Sequence, residues 1–267
     1  MRMTPVGEYL RARRQLVHPE DVGMPSGAHR RVPGLRRDEV AALAGISADY
    51  YLRLEQGREL HPSQQVLSGL ARALLLDAEA SAFLRRLATP PWTSAMRGEV
   101  DEEQLVRLLE PWQRAAAIVV TGCLDVVAAT GLALALAPTA FAPGVNLVEG
   151  VFGADTRDFA PDWERLAADT VAALRSGSDP ADPRLHALID GLRRDPDFAR
   201  LWARHDVRAF TAGTNWFFVD GFGPVELHRQ NFLIPGHPGY LIVTTYGAAG
   251  TIGEQALQSL ARVSVSG

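Results

Sequence analysis

The stretch Leu35-Arg-Arg-Asp-Glu-Val-Ala-Ala-Leu-Ala-Gly-Ile-Ser-Ala-Asp-Tyr-Tyr-Leu-Arg-Leu-Glu-Gln-Gly57 decides the fold of the first third of the chain. Apolar residues recur at helical spacing in its first half, and Asp38 and Glu39 lie in the opening turn, where they suit the positive end of a helix dipole. Gly45 can adopt the left-handed conformation that ends a helix, and Ser47 is a good N-cap for a second one. The stretch therefore predicts two short helices joined by a tight turn.

The two helices must cross steeply, which requires a small residue where their backbones approach. Ala41 meets this requirement, and Tyr51 and Leu54 are predicted to point inward from the second helix. This pattern predicts a helix-turn-helix, whose second helix lies in the major groove of DNA. The alternative is an ordinary helical hairpin.

Further helices are predicted on both sides of this pair. They run from about Pro5 to Leu16, from Gln64 to Leu76 and from about Asp77 to Ala88. A loop from His18 to Gly34 joins the first of them to the pair. Five helices, one of them the recognition helix, predict an all-α, lambda-repressor-like DNA-binding domain.

The predicted groove side of the second helix carries Ala48, Asp49 and Arg53. Arg53 is the best candidate for reading a base, since its guanidinium can donate to O6 and N7 of guanine. Such a pairing is worth roughly 1–3 kcal/mol of discrimination. Asp49 either accepts from a cytosine amino group or orients Arg53 at the i, i+4 spacing.

Other side chains are better placed for phosphates, which position a protein without reading sequence. The remaining predicted DNA contacts are Arg36, Arg37, Ser47, Tyr50 and Arg58. Arg30, Arg31 and Arg58 are either phosphate clamps or solvated surface. Because a single helix-turn-helix covers little DNA, we expect a homodimer on a pseudo-palindromic operator, with half-sites roughly 34–36 Å apart.

Charge is segregated along the chain, although the net charge is −4. Residues 1–97 hold 14 arginines against 10 acidic side chains, whereas residues 98–267 hold 13 against 21. The basic N-terminal part is attracted to the phosphate backbone of DNA, whereas the acidic C-terminal part is repelled by it. The lone Cys123, together with the lack of a signal peptide or an apolar run of membrane-spanning length, predicts a cytoplasmic protein.

The helical pattern breaks at 89–98, where adjacent prolines indicate a domain boundary. A connector helix is predicted from Asp101 to Trp112. The predicted strands then run over about 118–121, 125–128, 214–219, 225–234 and 240–246, and the predicted helices over about 131–136, 146–152, 161–175, 182–193, 197–205 and 252–263. This order predicts an α+β domain whose five-stranded antiparallel sheet is covered on one face. The expected divisions are 1–90, 91–114 and 115–267.

Several runs resemble one family of regulators. In the first half they are Pro33-Gly-Leu-Arg-Arg-Asp-Glu-Val-Ala-Ala-Leu-Ala-Gly45, Asp49-Tyr-Tyr-Leu-Arg-Leu-Glu-Gln-Gly-Arg58 and His61-Pro-Ser63, and in the second half Pro161-Asp-Trp-Glu-Arg165 and Leu201-Trp-Ala-Arg-His-Asp-Val-Arg208. Together they are similar to XRE-family helix-turn-helix transcriptional regulators with a C-terminal MmyB-like domain. The resemblance implies a PAS-like fold that binds a small hydrophobic, fatty-acid-like ligand.

A pocket between the sheet and its helices would be lined by aromatic side chains, with one polar end. The predicted ligand contacts are Trp163, Trp202, His205, Arg208, Trp216, Phe218, Phe232 and Tyr246. His205 and Arg208 either anchor a carboxylate or carbonyl or belong to an internal charge network. The chain departs from the family at Ala129 and Thr130, where a tryptophan and an asparagine are expected. It also lacks the usual acidic residue after Tyr246.

Enzyme activity is not expected, because the histidines lack metal-ligand spacing and no glycine-rich phosphate loop follows a strand. No metal or cofactor is predicted. Two alternatives to small-molecule control remain at this point. One is a thiol or redox sensor that works through Cys123, and the other is control by a protein partner that docks on the acidic C-terminal domain.

Overall fold

The computed structural model describes residues 4–25, 32–89, 102–112, 115–210, 212–234, 237 and 239–264. Arg30, Arg31 and most of the predicted boundary segment lie outside these ranges. The chain divides into two compact units. The first comprises Met1–Trp92 together with Ala199–Arg208, and the second comprises Thr93–Phe198 together with Ala209–Gly267. An N-terminal helical unit and a C-terminal α+β unit confirm the predicted fold class.

Helices build the first unit. They are α1 (Pro5–Leu16), α2 (Arg37–Ala44), α3 (Ala48–Glu55), α4 (Gln64–Ala73) and α5 (Ala78–Ala88), with a short 3-10 helix over Pro19–Val22. The predicted cap of α3 is present, since Ser47 Oγ accepts from the Tyr50 backbone N–H. Asp77 caps α5 in the same way, because its Oδ1 accepts from the Ala80 backbone N–H. α4 ends before the predicted Leu76, because Leu75 takes a left-handed φ of 51°.

The core of this unit lies where α3 meets the surrounding helices. Leu10, Leu35, Tyr51, Leu54 and Leu70 are completely buried there, so the inward prediction for Tyr51 and Leu54 is confirmed. Residues 199–208 add to the same unit. Val207 joins its core, and the side chain of Arg13 pairs with that of Asp206 at 2.7 Å.

A five-stranded antiparallel sheet forms the centre of the second unit. Its strands are β1 (Ala116–Thr121), β2 (Val126–Ala129), β3 (Gly213–Val219), β4 (Gly223–Leu233) and β5 (Tyr240–Tyr246), in the order β2-β1-β5-β4-β3. This order brings the early β1–β2 hairpin beside the last strand, as a PAS-like fold requires. The tight turn of that hairpin contains Gly122 and Cys123 and is followed by Leu124, whose φ is 64°.

The helices of the remaining sequence are mostly those predicted, with α9 as an addition. They are α6 (Glu102–Leu109, followed by a 3-10 helix over Glu110–Trp112), α7 (Gly131–Leu136), α8 (Leu147–Phe152), α9 (Ala154–Phe159), α10 (Trp163–Gly177), α11 (Pro183–Leu192), α12 (Pro196–Ala203) and α13 (Ile252–Ser264). No residue of α9 is buried. Its sequence therefore lacks the periodic apolar residues from which a helix is predicted.

Alternate residues of a strand point to opposite faces, so the strand register separates two surfaces of the sheet. One surface, called here the α13 face, contains the buried Val225 and Leu227, and Gly253 of α13 packs against Leu227. The opposite surface, the α6 face, contains Val119 and Ile242, which pack with Leu105 and Leu109 of α6. The predicted connector helix is therefore part of the sheet's packing and covers its β1–β2 side.

A close helix crossing depends on Gly69 of α4. A Cβ atom there would run into the carbonyl oxygen of Ala44 at the end of α2. We expect Gly69→Ala to destabilise the protein by about 1–3 kcal/mol, because backbone atoms must shift to relieve the overlap. Denaturant unfolding followed by circular dichroism measures the change.

Gly191 of α11 provides the matched control, since a Cβ there would meet nothing within 4 Å. Gly191→Ala should stabilise the protein by about 0.5–1 kcal/mol, the usual difference between glycine and alanine in a helix. Equal effects of the two substitutions would show that α2 and α4 do not pack as closely as described.

Candidate nucleic-acid interface and ligand site

The recognition surface follows from how α2 and α3 are joined. α2 ends at Gly45, whose φ of 72° turns the chain, and Ser47 then starts α3. Because Tyr51 and Leu54 are held in the core, the opposite side of α3 faces solvent. Ala48 and Asp49 are exposed there, and Arg53 is partly exposed.

Asp49 and Arg53 form an ion pair one helical turn apart, as one of the two sequence alternatives expected. The Arg53 guanidinium also lies 5.5 Å from the centre of the Tyr50 ring. These contacts restrict the long arginine side chain on the exposed surface of α3. Asp49 therefore orients the Arg53 side chain and holds its guanidinium near the N-terminal half of α3.

A buried carboxylate beneath this surface was not identified from the sequence. The Glu55 side chain is only 2% exposed, and it accepts from Arg14 Nε at 2.7 Å and from Arg37 Nε at 2.6 Å. Arg14 also donates to the Leu35 carbonyl oxygen at 2.8 Å. This network joins α1, α3 and the start of α2, and so fixes the angle at which the recognition helix is presented.

Glu55 is ionised in the folded protein. Burial alone would raise its pKa, but the hydrogen bonds from Arg14 and Arg37 and the charges of both arginines lower it below the usual value. The network therefore contains one negative and two positive charges. Arg37 is half-exposed at its edge, which leaves a cationic group on the surface beside α3.

The other predicted DNA contacts also lie at the surface. Arg36, Ser47 and Arg58 are exposed, and Tyr50 is partly exposed. The Arg36 backbone N–H donates to Glu39 Oε2 at 2.6 Å, which caps α2. The DNA contacts of these side chains stay predictions.

The predicted ligand residues do not all belong to the same unit. Trp202, His205 and Arg208 lie in the segment counted with the first unit, and the His205 ring is 6.3 Å from that of Tyr9. Tyr9 is itself a core residue of the helical unit. A packing role for His205 is therefore visible, whereas its ligand role stays a prediction.

Four other predicted ligand residues share the α6 face of the sheet. The cross-strand register places Trp216, Phe218, Phe232 and Tyr246 on that face. Phe218 is 60% exposed, and Tyr246 stacks on His228 with the ring centres 5.5 Å apart. These rings therefore point away from the space between the sheet and α13. Period-two alternation identifies which residues share a face but not which face the helices cover.

Trp163, the remaining predicted ligand residue, lies at the start of α10. Its Nε1 donates to the Val151 carbonyl oxygen at 2.7 Å, and its ring packs edge-on against Phe152. The Arg157 guanidinium lies 4.0 Å from the ring centre. These contacts hold α8, α9 and α10 together.

Cys123 is buried at the turn between β1 and β2. Its Sγ lies 4.0 Å from Asp182 Oδ2, and its carbonyl oxygen accepts from the buried Asn146 side chain. A thiol packed into a hydrogen-bonded turn is shielded from oxidants in solution, so the geometry gives no support to redox sensing.

The part of the chain that the structure describes contains no group of three or more histidine, cysteine or acidic side chains placed to hold a metal ion. None of its helices is long and apolar enough to cross a membrane.

The fold and the exposed recognition helix define a DNA-binding protein of the helix-turn-helix class that carries a PAS-like second domain. Comparison with family models agrees with both parts. Residues 5–84 match a helix-turn-helix domain, and residues 102–260 match the MmyB-like transcription regulator ligand binding domain. The second match covers more than half of the chain, which therefore belongs to the MmyB-like transcription regulators. A comparison with curated proteins found no match.

Proposed function

We propose that this regulator binds a pseudo-palindromic operator as a homodimer in the cytoplasm, and that a small hydrophobic ligand in the C-terminal domain changes its operator affinity. The observation that carries the proposal is the exposed N-terminal half of α3, anchored from below by the buried Glu55 network. The same chain contains a domain of the MmyB-like ligand-binding family. The resemblance favours a fatty-acid-like ligand.

In the proposed complex, α3 enters the major groove with Ala48, Asp49 and Arg53 toward the bases. Asp49 already holds Arg53 on this side of the helix, so little side-chain ordering remains to be done on binding. Arg36, Arg37, Ser47, Tyr50 and Arg58 surround it and contact phosphates. This division separates sequence reading from positioning.

Ligand recognition is proposed for the space between the α13 face of the sheet and its helical cover. Of the residues proposed from the sequence, Trp163 lies at the start of α10 and is hydrogen-bonded to α8. Trp202, His205, Arg208, Trp216, Phe218, Phe232 and Tyr246 remain candidates only through the resemblance, since their positions in the fold do not support one shared pocket.

Selection of bound sequences from a random DNA pool tests the operator proposal. We expect an inverted repeat whose half-sites lie roughly 34–36 Å apart, because each protomer presents one recognition helix. Size measurements on the complex should give two protomers per operator. A single half-site bound by one protomer would contradict the homodimer.

The ligand proposal is tested by linkage. Native mass spectrometry of the purified protein, followed by denaturing extraction, identifies any co-purified small molecule. Operator affinity is then measured with and without that molecule, and ligand affinity with and without operator. The two ratios must be equal, because coupling between sites is reciprocal. Identical affinities in all cases would refute ligand control while leaving operator binding intact.

A further inference from the structure

The two edges of the C-terminal sheet differ in how their backbone groups are used. At the β2 edge, the Val126 backbone N–H donates to the Val145 carbonyl oxygen at 2.8 Å, and the Gly144 N–H donates to the Val126 carbonyl oxygen at 2.8 Å. Asp125 and Asn146 form a further backbone bridge beside this pair. A later segment of the chain therefore occupies the outer side of β2 at its start, which prevents a second strand from aligning with it.

The β3 edge has no such cover among the described residues. β3 pairs with β4 over its full length, from Gly213 to Val219. Its one other described backbone hydrogen bond lies at the end of the strand, where the Val219 carbonyl oxygen accepts from the Phe222 N–H. In an antiparallel pair, half of the N–H and C=O groups of each strand point away from the neighbour. Those of β3 are therefore open to another strand.

β3 also lacks the features that protect an exposed edge strand. Such strands usually carry a lysine, a proline or a bulge that prevents pairing. The sequence Gly213-Thr-Asn-Trp-Phe-Phe-Val219 contains neither residue, and its register with β4 is regular. No charged residue occurs from 209 to 219, although the C-terminal part of the chain is acidic. Two acidic copies repel each other least where such an uncharged strand faces its counterpart.

The side chains of β3 suit a partner with the same sequence. Trp216 is the middle residue of the strand, and Trp216 and Phe218 lie on the α6 face with 38% and 60% of their surface exposed. When two β3 strands pair antiparallel over their full length, the two-fold axis passes beside Trp216, so the two tryptophans become cross-strand neighbours. Phe218 then lies opposite Thr214 of the second copy. The exposed rings of both copies form one row across the axis.

We propose that two copies of the chain pair through β3, which joins their five-stranded sheets into one continuous antiparallel sheet. This assignment rests on the proposed function, since it names the interface of the proposed homodimer. The assembly closes at two copies. A two-fold contact uses the β3 edge of both copies, and the β2 edge at the far side of each sheet is occupied.

The size of the interface predicts the strength of the dimer. A fully buried aromatic side chain removes roughly 150–250 Å² from water, so the exposed parts of Trp216 and Phe218 contribute on the order of 200 Å² per copy. Pairing of a strand about 24 Å long adds its backbone edge, and the total stays below the roughly 800 Å² per partner of a stable complex. We therefore expect a dimer that dissociates at micromolar concentrations and that operator DNA strengthens by holding both copies side by side.

Oppositely charged substitutions at Trp216 test the interface on the full-length protein. Trp216→Lys and Trp216→Glu each place like charges side by side across the two-fold axis, so each variant alone should dimerise about tenfold or more weakly than the wild type. Analytical ultracentrifugation over a concentration series measures the dissociation constant. An equimolar mixture of the two variants should dimerise again, because opposite charges then face each other. Circular dichroism confirms that each variant is folded.

Phe232→Lys is the matched control. Phe232 is another partly exposed aromatic residue of the α6 face, but it lies on β4, which is not an edge strand. Its substitution should leave the dissociation constant unchanged. If Phe232→Lys dissociated the dimer as strongly as Trp216→Lys, the two copies would pack face to face, and pairing through β3 would be wrong.

Hydrogen exchange measures the pairing at the backbone. The outward N–H groups of Gly213–Val219 should exchange more slowly at a protein concentration that favours the dimer than at one that favours the monomer. Peptides from β2 should show no such difference. Equal exchange of β3 at both concentrations, in a protein that does dimerise, would overturn the proposal.

The remaining outcomes separate this interface from the function on which it rests. A wild-type dimer that Trp216→Lys and Trp216→Glu leave intact would overturn pairing through β3 and leave the homodimer in place. A wild-type protein that stays monomeric both alone and on the operator would overturn the interface and the homodimer together. Operator binding itself is read separately by gel shift.

Discussion

Replacing Glu55 by alanine is expected to lower the free energy of unfolding of the helical unit by about 3–5 kcal/mol. The substitution leaves the buried Arg14 without its carboxylate partner and removes the hydrogen bond to Arg37. Because the same network fixes α3 against α1, operator affinity should fall with stability. Denaturant unfolding and a gel-shift titration measure the two effects.

Glu8→Ala is the matched control, since Glu8 is an exposed carboxylate in the first turn of α1. Removing it should cost less than about 1 kcal/mol, the usual range for a charge near a helix end. If Glu55→Ala proved as mild as the control, the buried network would not hold the recognition helix.

The same carboxylate predicts how stability depends on pH. Because the folded protein lowers the pKa of Glu55, its contribution is complete above the ordinary carboxyl value near 4.5 and is lost as the pH falls through the lowered value. Glu55→Gln should therefore reduce stability at neutral pH and flatten this part of the acid unfolding profile. An unchanged profile in the variant would assign the acid transition to other carboxylates.

Replacing Arg53 by alanine should relax base preference at one position of each half-site, with a loss of discrimination of about 1–3 kcal/mol. Arg53 is held on the exposed side of α3 by Asp49, so its removal takes away a base contact rather than a core contact. Quantitative binding to a set of operators with single base changes measures the effect.

Arg37→Ala should instead weaken binding to all sequences alike and make the salt dependence less steep, because a phosphate contact carries no base information. Arg72→Ala removes the same charge from an exposed position on α4 and serves as the control. If Arg53→Ala and Arg37→Ala both weakened binding to all sequences equally, a residue other than Arg53 would make the base-specific contact.

The recognition helix could be predicted because its determinants are local. Gly45, Ser47 and the inward Tyr51 and Leu54 all lie within ten positions of the chain, and each acts on its nearest turns. The Glu55 network could not be predicted in this way. Arg14 lies 41 positions from Glu55, and only the packing of α1 on α3 brings the two charges together.

The ligand site shows the same limit in the second domain. Apolar alternation along β3 and β4 correctly gave the strands, but the aromatic residues chosen as pocket walls lie on the α6 face. The other face is covered because α13, which lies far along the chain from β1 and β2, packs against Leu227 of β4.

The sequence by itself determined the helix-turn-helix, the strand order along the chain and the family, because caps, glycines and hydrophobic periods act over a few residues. Tertiary structure alone decided which charges are buried, which face of the sheet is covered, and that residues 199–208 belong with the first unit. These outcomes depend on contacts between residues far apart in the chain. A local pattern contains no information about which distant side chain will remove a given group from water.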